Sequence, residues 1–282
     1  TWDPDKTLYD TSRTSILMED FDDLIDPRQY YYGTWTIQRG KQQDSQEKNF
    51  SLVESRGLLN GLDAEWKDKI RRLVIPLRHV AWGSNTNNSY IAAYGFGAPM
   101  TSAAALQMMD HLGIAQYVTR IGLILAENDP SALDDAKTLW MDDEVWQPMR
   151  ALIEESMVTK DWFELHVLQN FLIDGSLHPL MFDKFDAEIV QHGGAVFSMM
   201  NEFAIEWFAE SSRWVDAVLK RAVQESAANK SCIEGWIAKW TPRVQGALKP
   251  LGDVAFNGEG TAVIDEIMDR LMARAIRATL DV

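Results

Sequence analysis

Cysteine is almost absent from this sequence, which has Cys232 alone among its 282 residues. One cysteine cannot form an internal disulfide, a thiolate zinc site or a cysteine-ligated iron–sulfur cluster, and it favours a reducing, cytoplasmic compartment. Trp236 follows four residues later in a helical pattern. This spacing indicates that Cys232 is a small core residue rather than a nucleophile.

Basic residues are scarce as well, since 27 Lys and Arg face 42 Asp and Glu and give a formal net charge of −15. Such a chain repels phosphate backbones and anionic membranes, and its basic residues form no cluster, so we expect no nucleic-acid or membrane partner. The longest aliphatic stretch, residues 121–126, is far shorter than the roughly twenty apolar residues that cross a bilayer. The sequence therefore predicts no transmembrane helix.

The sequence also lacks the histidine spacing of a di-iron centre. A di-iron site in a helix bundle needs a Glu from each of two helices and an E-x-x-H pair from each of two more. None of the five histidines has a Glu three residues before or after it. Glu188 and His192 stand four residues apart, which favours a surface ion pair over half of a metal site. Because nucleophile-elbow, Walker and dinucleotide motifs are absent too, we expect no catalytic residue, metal or cofactor in this chain.

The residues that are abundant indicate a helical protein with more aromatic surface than a monomer needs. Eleven tryptophans are present, and large aromatics dominate cores and permanent interfaces. Apolar residues recur at helical spacing almost everywhere after residue 25, while strand-like alternation is nearly absent. The sequence therefore predicts an all-α fold, a bundle of long helices that belongs to an assembly.

Capping residues and prolines predict where the first helices begin and end. Asp26-Pro27 predicts an N-cap with proline at the first helical position, which opens a helix that runs to about Gly57. Pro76 predicts a kink in the following helix, ahead of the asparagine-rich segment 85–88. We expect that segment to interrupt the helix.

Two core helices and two boundaries complete the predicted organisation. The clearest core helices begin at residues 99–101 and within 193–228. The first 25 residues, with mixed charge and no periodicity, predict an extended arm (1–25) ahead of the helical bundle domain (26–256). A glycine-rich loop then leads to a C-terminal helix (257–282).

Asp161 and Glu164 lie on the same predicted helical face as the apolar side chains of Leu168 and Phe171. Buried acids require partners. They could form a proton or metal site, but we favour ion pairing to Arg or Lys of a neighbouring helix or subunit.

Several segments together are similar to one known family. The segments that resemble the beta subunits of bacterial phenol hydroxylases are residues 2–6, 18–20, 26–33, 76–79, 87–89, 115–117, 120–122, 160–164, 212–216 and 236–242. The last of these, residues 236–242, also resembles toluene monooxygenases. These segments occur in order and span most of the chain.

The resemblance implies a non-catalytic beta subunit in the hydroxylase of a multicomponent di-iron monooxygenase. It implies a ferritin-like (ribonucleotide-reductase-like) bundle without metal ligands, in an (αβγ)2 assembly with alpha and gamma subunits. The di-iron centre would lie in alpha, NADH, FAD and an iron–sulfur cluster in a reductase, and a regulatory protein would complete the system. The arm would wrap over alpha, and the subunit-interface residues would be Trp2, Tyr30, Tyr31, Trp35, Asp161 and Glu164.

The function implied in this way is hydroxylation of phenol or a related small aromatic with O2 and NADH-derived electrons. One alternative, a stand-alone ferritin-like oxidase, requires clustered Glu and His that the sequence does not contain. A second alternative, an all-helical adaptor or binding module without an oxygenase role, is compatible with the composition.

Overall fold

The computed structural model describes residues 4–282, and every regular element in that range is helical. The expected all-α fold is therefore confirmed. The helices are α1 (Tyr32–Arg56), α2 (Ala64–Leu73), α3 (Leu77–Tyr94), α4 (Ala98–Leu125), α5 (Ser131–Asp142), α6 (Gln147–Ser156), α7 (Trp162–His166), α8 (Asp174–His178), α9 (Phe185–Gln191), α10 (Ala195–Glu225), α11 (Ala227–Ala255) and α12 (Gly260–Arg277). None of the helices within residues 4–282 is long and apolar enough to cross a membrane.

Helices α7, α8 and α9 form one continuous helical stretch. Two π-helical segments, Val167–Ile173 and Pro179–Lys184, join them without a loop. Pro179 has no amide hydrogen to donate, so it fits where the regular hydrogen-bond ladder changes register. π-Helical turns occur frequently at functional sites, which makes the interior face of this stretch a place to search for one.

The core of the bundle is formed by α3, α4, the α7–α9 stretch and α10. Helices α3 and α4 form the most extensive helix pair, and only Gly95–Gly97 separates them. Gly97 has a φ of 84°, and a Cβ atom there would lie 2.3 Å from the carbonyl oxygen of Phe21. Only glycine therefore allows the N-terminal segment to cross this connection. The largest buried side chains include five tryptophans: Trp146, Trp162, Trp207, Trp214 and Trp240.

The predicted start of the first helix is wrong, whereas its predicted end is confirmed. The carboxylate of Asp26 accepts a hydrogen bond from the backbone N–H of Arg28 at 2.9 Å, but Gln29 then adopts a φ of 55°. A left-handed residue cannot continue a right-handed helix, so α1 begins only at Tyr32. It ends at Arg56, and Gly57 follows in the left-handed conformation with a φ of 57°.

The asparagine-rich segment does not interrupt a helix, contrary to the prediction. Helix α3 runs through residues 85–88 because several of these polar side chains find partners inside the bundle. The break at Pro76 is present, since α2 ends at Leu73 and α3 begins at Leu77. The predicted boundary between residues 256 and 257 falls between α11 and α12, which pack tightly at Gly252 and Gly260: a Cβ atom at Gly260 would lie 2.2 Å from the carbonyl carbon of Gly252.

Candidate functional site

The interior of the bundle contains a layer of amide side chains where a helix bundle usually has apolar ones. Asn87 donates hydrogen bonds to the oxygens of Gln169 at 2.8 Å and Ser156 at 2.7 Å. The next residues along both helices, Asn88 and Asn170, exchange hydrogen bonds at 3.1 Å and 3.0 Å. All of these residues are buried, and their mutual hydrogen bonds offset most of the desolvation cost of the layer, although Asn87 Oδ1 has no hydrogen-bond partner.

Asp174, at the start of α8, is the only carboxylate that this amide layer contacts within the described residues. Its Oδ1 accepts a hydrogen bond from the Gln169 amide at 2.9 Å, and its Oδ2 lies 3.1 Å from His111 Nε2. The side chains of His111 and Asp174 are 1% and 4% exposed. This pair links α4 to the α7–α9 stretch across the centre of the bundle.

Two further histidines, His166 and His178, face the same interior. Burial lowers the pKa of His166 to about 3 and that of His178 to about 4, so both rings are neutral at pH 7. His166 Nδ1 lies 3.0 Å from the Asn170 amide, while His166 Nε2 and His178 Nδ1 are buried without a hydrogen-bond partner. Their rings pack edge-on or tilted against Trp214 and Trp207.

These interior histidines and Asp174 do not assemble into a metal centre. Within residues 4–282, no group of three or more His, Cys, Asp or Glu side chains could hold a metal ion. Glu188 and His192 lie at the surface, as the sequence predicts, with 3.9 Å between the Glu188 carboxylate and His192 Nδ1. The His192 ring stacks on Trp66 with 4.3 Å between the centroids.

The two acids singled out in the sequence find partners in this chain. Asp161 caps α7, accepting hydrogen bonds from two backbone N–H groups of its first turn, and it also accepts one from Ser15 N at 2.6 Å. Glu164 accepts hydrogen bonds from Lys239 at 2.6 Å and from the indole of Trp240 at 2.8 Å. The preferred ion-pair interpretation is therefore confirmed for Glu164, whereas Asp161 is a helix cap.

The aromatic residues predicted at a subunit interface are divided between the interior and the surface. The hydroxyl of Tyr30 donates to Glu210 at 3.0 Å, and the indole of Trp35 donates to Asp110 at 2.8 Å. Tyr31 is 67% exposed, and the neighbouring exposed side chains are Tyr32 and Ile37. We call Tyr31, Tyr32 and Ile37 the α1 patch. Trp2 lies outside the described residues.

A charged cluster that sequence inspection did not find joins α1, α4 and α10. Arg39 binds both oxygens of Asp110, at 2.7 and 2.8 Å, and its remaining nitrogen binds Glu210 at 2.9 Å. Burial alone would lower the pKa of Arg39, but the hydrogen bonds and charges of Asp110 and Glu210 outweigh burial and raise the pKa above its ordinary value. The indole of Trp207 donates to Asp110 at 3.1 Å as well. Residues far apart in sequence contribute to the cluster, so local spacing gave no signal for it.

Residues 4–25 of the N-terminal arm lie across the bundle of their own chain. Asn229 accepts a hydrogen bond from Leu17 N at 3.1 Å and donates one to Leu17 O at 2.8 Å, as a neighbouring strand would. Asp22 accepts from Ala98 N, at the start of α4, at 2.8 Å. Large apolar side chains of the arm nevertheless remain exposed: Leu8, Tyr9, Leu17 and Ile25. The arm is thus fixed at its backbone and presents apolar side chains to solvent.

Comparison with known proteins gives consistent matches. The family model described as methane/phenol/alkene hydroxylase matches residues 2–226. The chain is 42% identical to the oxygenase component DmpL of phenol 2-monooxygenase from Pseudomonas sp. (strain CF600), over 97% of this chain and 82% of the relative. The hydroxylase beta subunit of the toluene-4-monooxygenase system from Ectopseudomonas mendocina is 23% identical over 79% of this chain and 69% of its own length.

Solved structures agree with the sequence matches. The phenol hydroxylase structure from Pseudomonas sp. OX1, determined under xenon pressure, superposes with a TM-score of 0.95 and 41% identity. That match covers 100% of this chain and 85% of the other. A toluene 4-monooxygenase structure with bound toluene superposes at a TM-score of 0.78 with 21% identity, over 89% of this chain and 81% of the other, which supports the fold alone. The expected ferritin-like bundle is confirmed.

Proposed function

The chain belongs to the methane/phenol/alkene hydroxylase family, and from this premise we propose that it is the non-catalytic beta subunit of a phenol hydroxylase. The observation that carries the proposal is its 42% identity to a phenol 2-monooxygenase oxygenase component over 97% of the chain. The enzyme would hydroxylate phenol or a related small aromatic with O2 and NADH-derived electrons. In this chain several polar residues of the bundle interior bind one another across helices, which suits a structural role.

The partners follow from the same proposal. An alpha subunit would hold the di-iron centre, and alpha, beta and gamma subunits would form an (αβγ)2 assembly. A reductase with NADH, FAD and an iron–sulfur cluster would deliver electrons, and a regulatory protein would complete the system. The single cysteine supports a cytoplasmic location for this assembly.

We assign the contact with the alpha subunit to the exposed apolar side chains of the arm and to the α1 patch. Exposed apolar clusters of this kind mark protein interfaces more often than free surface. The arm is anchored to the chain's own bundle by hydrogen bonds of Asn229 and Asp22, so its outward face is held in one shape before a partner binds. A preformed surface loses less conformational entropy on association.

The test is co-expression of this chain with its neighbouring reading frames, followed by size-exclusion chromatography with mass and iron determination on every peak. A complex of about twice three chains, with iron in the largest subunit, is the expected result. Stoichiometric iron bound tightly to this chain in isolation would contradict the proposal. A chain that runs alone, stable and without metal, next to no reading frame with two E-x-x-H motifs, would favour the all-helical adaptor.

Substitutions on the α1 patch test the interface. Ile37→Asp places a charge on a side chain that is 62% exposed, so it should leave the fold intact and weaken assembly. Ile276→Asp is the matched control, because Ile276 is 57% exposed on α12, far along the chain from the patch. Equal assembly of both variants with the partner subunits would exclude the patch from the interface.

A further inference from the structure

The structure contains a cavity between α1, α4 and α10 that is partly open to solvent and is lined in part by Arg39 and Asp110. Its volume is about 350 Å³. This lies near the lower end of the range for small-molecule sites, which is about 300 to 1,000 Å³. The aromatic residues that line it are Trp35, Tyr117, Phe203 and Trp207. A cavity of this size with such walls fits a single aromatic ring rather than a nucleotide or an extended chain.

Two glycines leave this space open. Gly40 on α1 and Gly113 on α4 both line the cavity, and a Cβ atom added at either would meet no atom within 4 Å. Glycine in the middle of a helix is less stable there than alanine, because it loses more backbone freedom on folding. Neither residue has a positive φ, so neither is required by the backbone conformation. Their effect in the fold is to leave room where a side chain would otherwise stand.

The charges near the cavity favour a neutral ligand. All three nitrogens of the Arg39 guanidinium already bind carboxylate oxygens of Asp110 or Glu210, so its charge is compensated within the protein and attracts an anion little. The charged residues that line the cavity are Arg39 and Asp110, whose opposite charges cancel, so neither an anion nor a cation gains a net attraction. A neutral ring packed against aromatic faces and edges needs no such attraction and gains the aromatic contacts.

One polar group at the cavity can select among neutral rings. The hydroxyl of Tyr117 donates its hydrogen to Gln43 Oε1, which leaves the oxygen of Tyr117 free to accept a second hydrogen bond. Burial raises the pKa of Tyr117 to about 12, so the hydroxyl stays neutral at pH 7. An acceptor of this kind favours a ligand with one hydroxyl donor over a plain hydrocarbon.

We propose that this cavity is a small-molecule site that binds one neutral, single-ring aromatic alcohol. Its lining residues are contributed by α1, α4 and α10 of this chain. The proposal goes beyond the role of a structural subunit and does not depend on it. It concerns binding only, and no bond is made or broken at the site.

The test uses the assembled, unreduced protein, and phenol is the probe. Equilibrium dialysis counts the phenol molecules bound per copy of this chain in three proteins: the unchanged one, Gly113→Leu and Gly235→Leu. Leucine at position 113 fills the cavity, whereas Gly235 is exposed on α11 and a Cβ atom there also meets nothing within 4 Å. The expected result is the loss of one bound phenol per chain in Gly113→Leu and no loss in Gly235→Leu.

Crystals of the same assembly soaked with 4-bromophenol locate the site. The anomalous signal of bromine is expected between Trp35, Tyr117 and Phe203. Tetramethylammonium and benzoate should bind the site at least tenfold more weakly than phenol does. The proposal is overturned by an equal phenol count in Gly113→Leu, by equal binding of the three probes, or by binding at crystal concentration only. A partner side chain filling the cavity in the crystal would overturn it as well.

Discussion

Replacing Asp110 with Asn tests how strongly the buried charged cluster holds α1 on the bundle. The Asp110 carboxylate accepts four hydrogen bonds: two from Arg39, at 2.7 and 2.8 Å, and one each from the indoles of Trp35 and Trp207, at 2.8 and 3.1 Å. An Asn side chain has the same shape, but its nitrogen is a donor. Asp110→Asn therefore brings a donor to one side of the cluster and removes the charge that Arg39 binds.

The expected loss follows from burial. The side chains of Arg39 and Asp110 are 15% and 2% exposed. Removing one partner of a buried ion pair costs about 3 to 5 kcal/mol. Because Arg39 keeps Glu210 as a second partner, we expect Asp110→Asn to lower the free energy of unfolding by the lower end of this range, about 3 kcal/mol. Glu210→Gln is the matched control: Glu210 is 16% exposed and makes one bond to Arg39, so we expect about 1 kcal/mol.

Pulse proteolysis in urea measures both variants. A short protease pulse at each urea concentration removes the unfolded fraction, and the intact 32.0 kDa band reports the folded fraction even when partner subunits are present. The free energy of unfolding should fall about threefold further in Asp110→Asn than in Glu210→Gln. An equal loss in the two variants, or no loss in Asp110→Asn, would refute the assignment of Asp110 as the centre of the cluster.

Three further perturbations have defined outcomes. The pKa of His166 in the fold, about 3, lies below the unfolded value of about 6.5, so stability is lost as pH falls from 6.5 towards 3; in urea titrations the loss at pH 5 should be about 2 kcal/mol smaller in His166→Phe, while His178 contributes its own loss in both proteins. Asn229→Ala removes two hydrogen bonds to Leu17, so mass spectrometry after limited proteolysis should show new cleavage confined to the arm. Replacing both Asp161 and Glu164 with Ala should lower the melting temperature or loosen assembly, while the activity and iron content of complexes that remain intact stay unchanged. Lost iron in an intact complex would contradict the structural role of these two acids.

The long apolar helices could be predicted because their signal is local. In α4 and α10, large side chains recur every three or four residues, and a core-facing stripe of that length has no other stable arrangement. The start of α1 could not be predicted in the same way. Asp26-Pro27 has the composition of a helix start, but the left-handed φ of Gln29 ends the turn that it opens. A backbone conformation at one residue thus outweighed a favourable dipeptide.

The amide layer and the charged cluster could not be predicted from spacing, since their partners come from distant parts of the chain. Asn87 and Gln169 are 82 residues apart, and Arg39 and Asp110 are 71 apart. On its own, an asparagine in a helix pattern indicates a break, because it competes with the backbone for hydrogen bonds. Where the facing helix supplies an amide as a hydrogen-bond partner, an asparagine can instead be buried in the core. Burial of Glu164 was predictable, but its partner Lys239 was not.

The absence of an E-x-x-H motif and the composition of the bundle interior are related by one physical constraint. Helices that surround a polar centre must satisfy its polar groups, either with a metal ion or with one another. In this chain Asn88 and Asn170 pair with each other, and Asp174 is held by Gln169 and His111. A carboxylate whose two oxygens already accept hydrogen bonds is a poor ligand for a metal. If it bound a metal instead, the groups that donate to it would remain buried without a partner. The bundle can therefore keep the helix arrangement of its family while these interior hydrogen bonds hold its helices in register, which is the property that a subunit with a structural role requires.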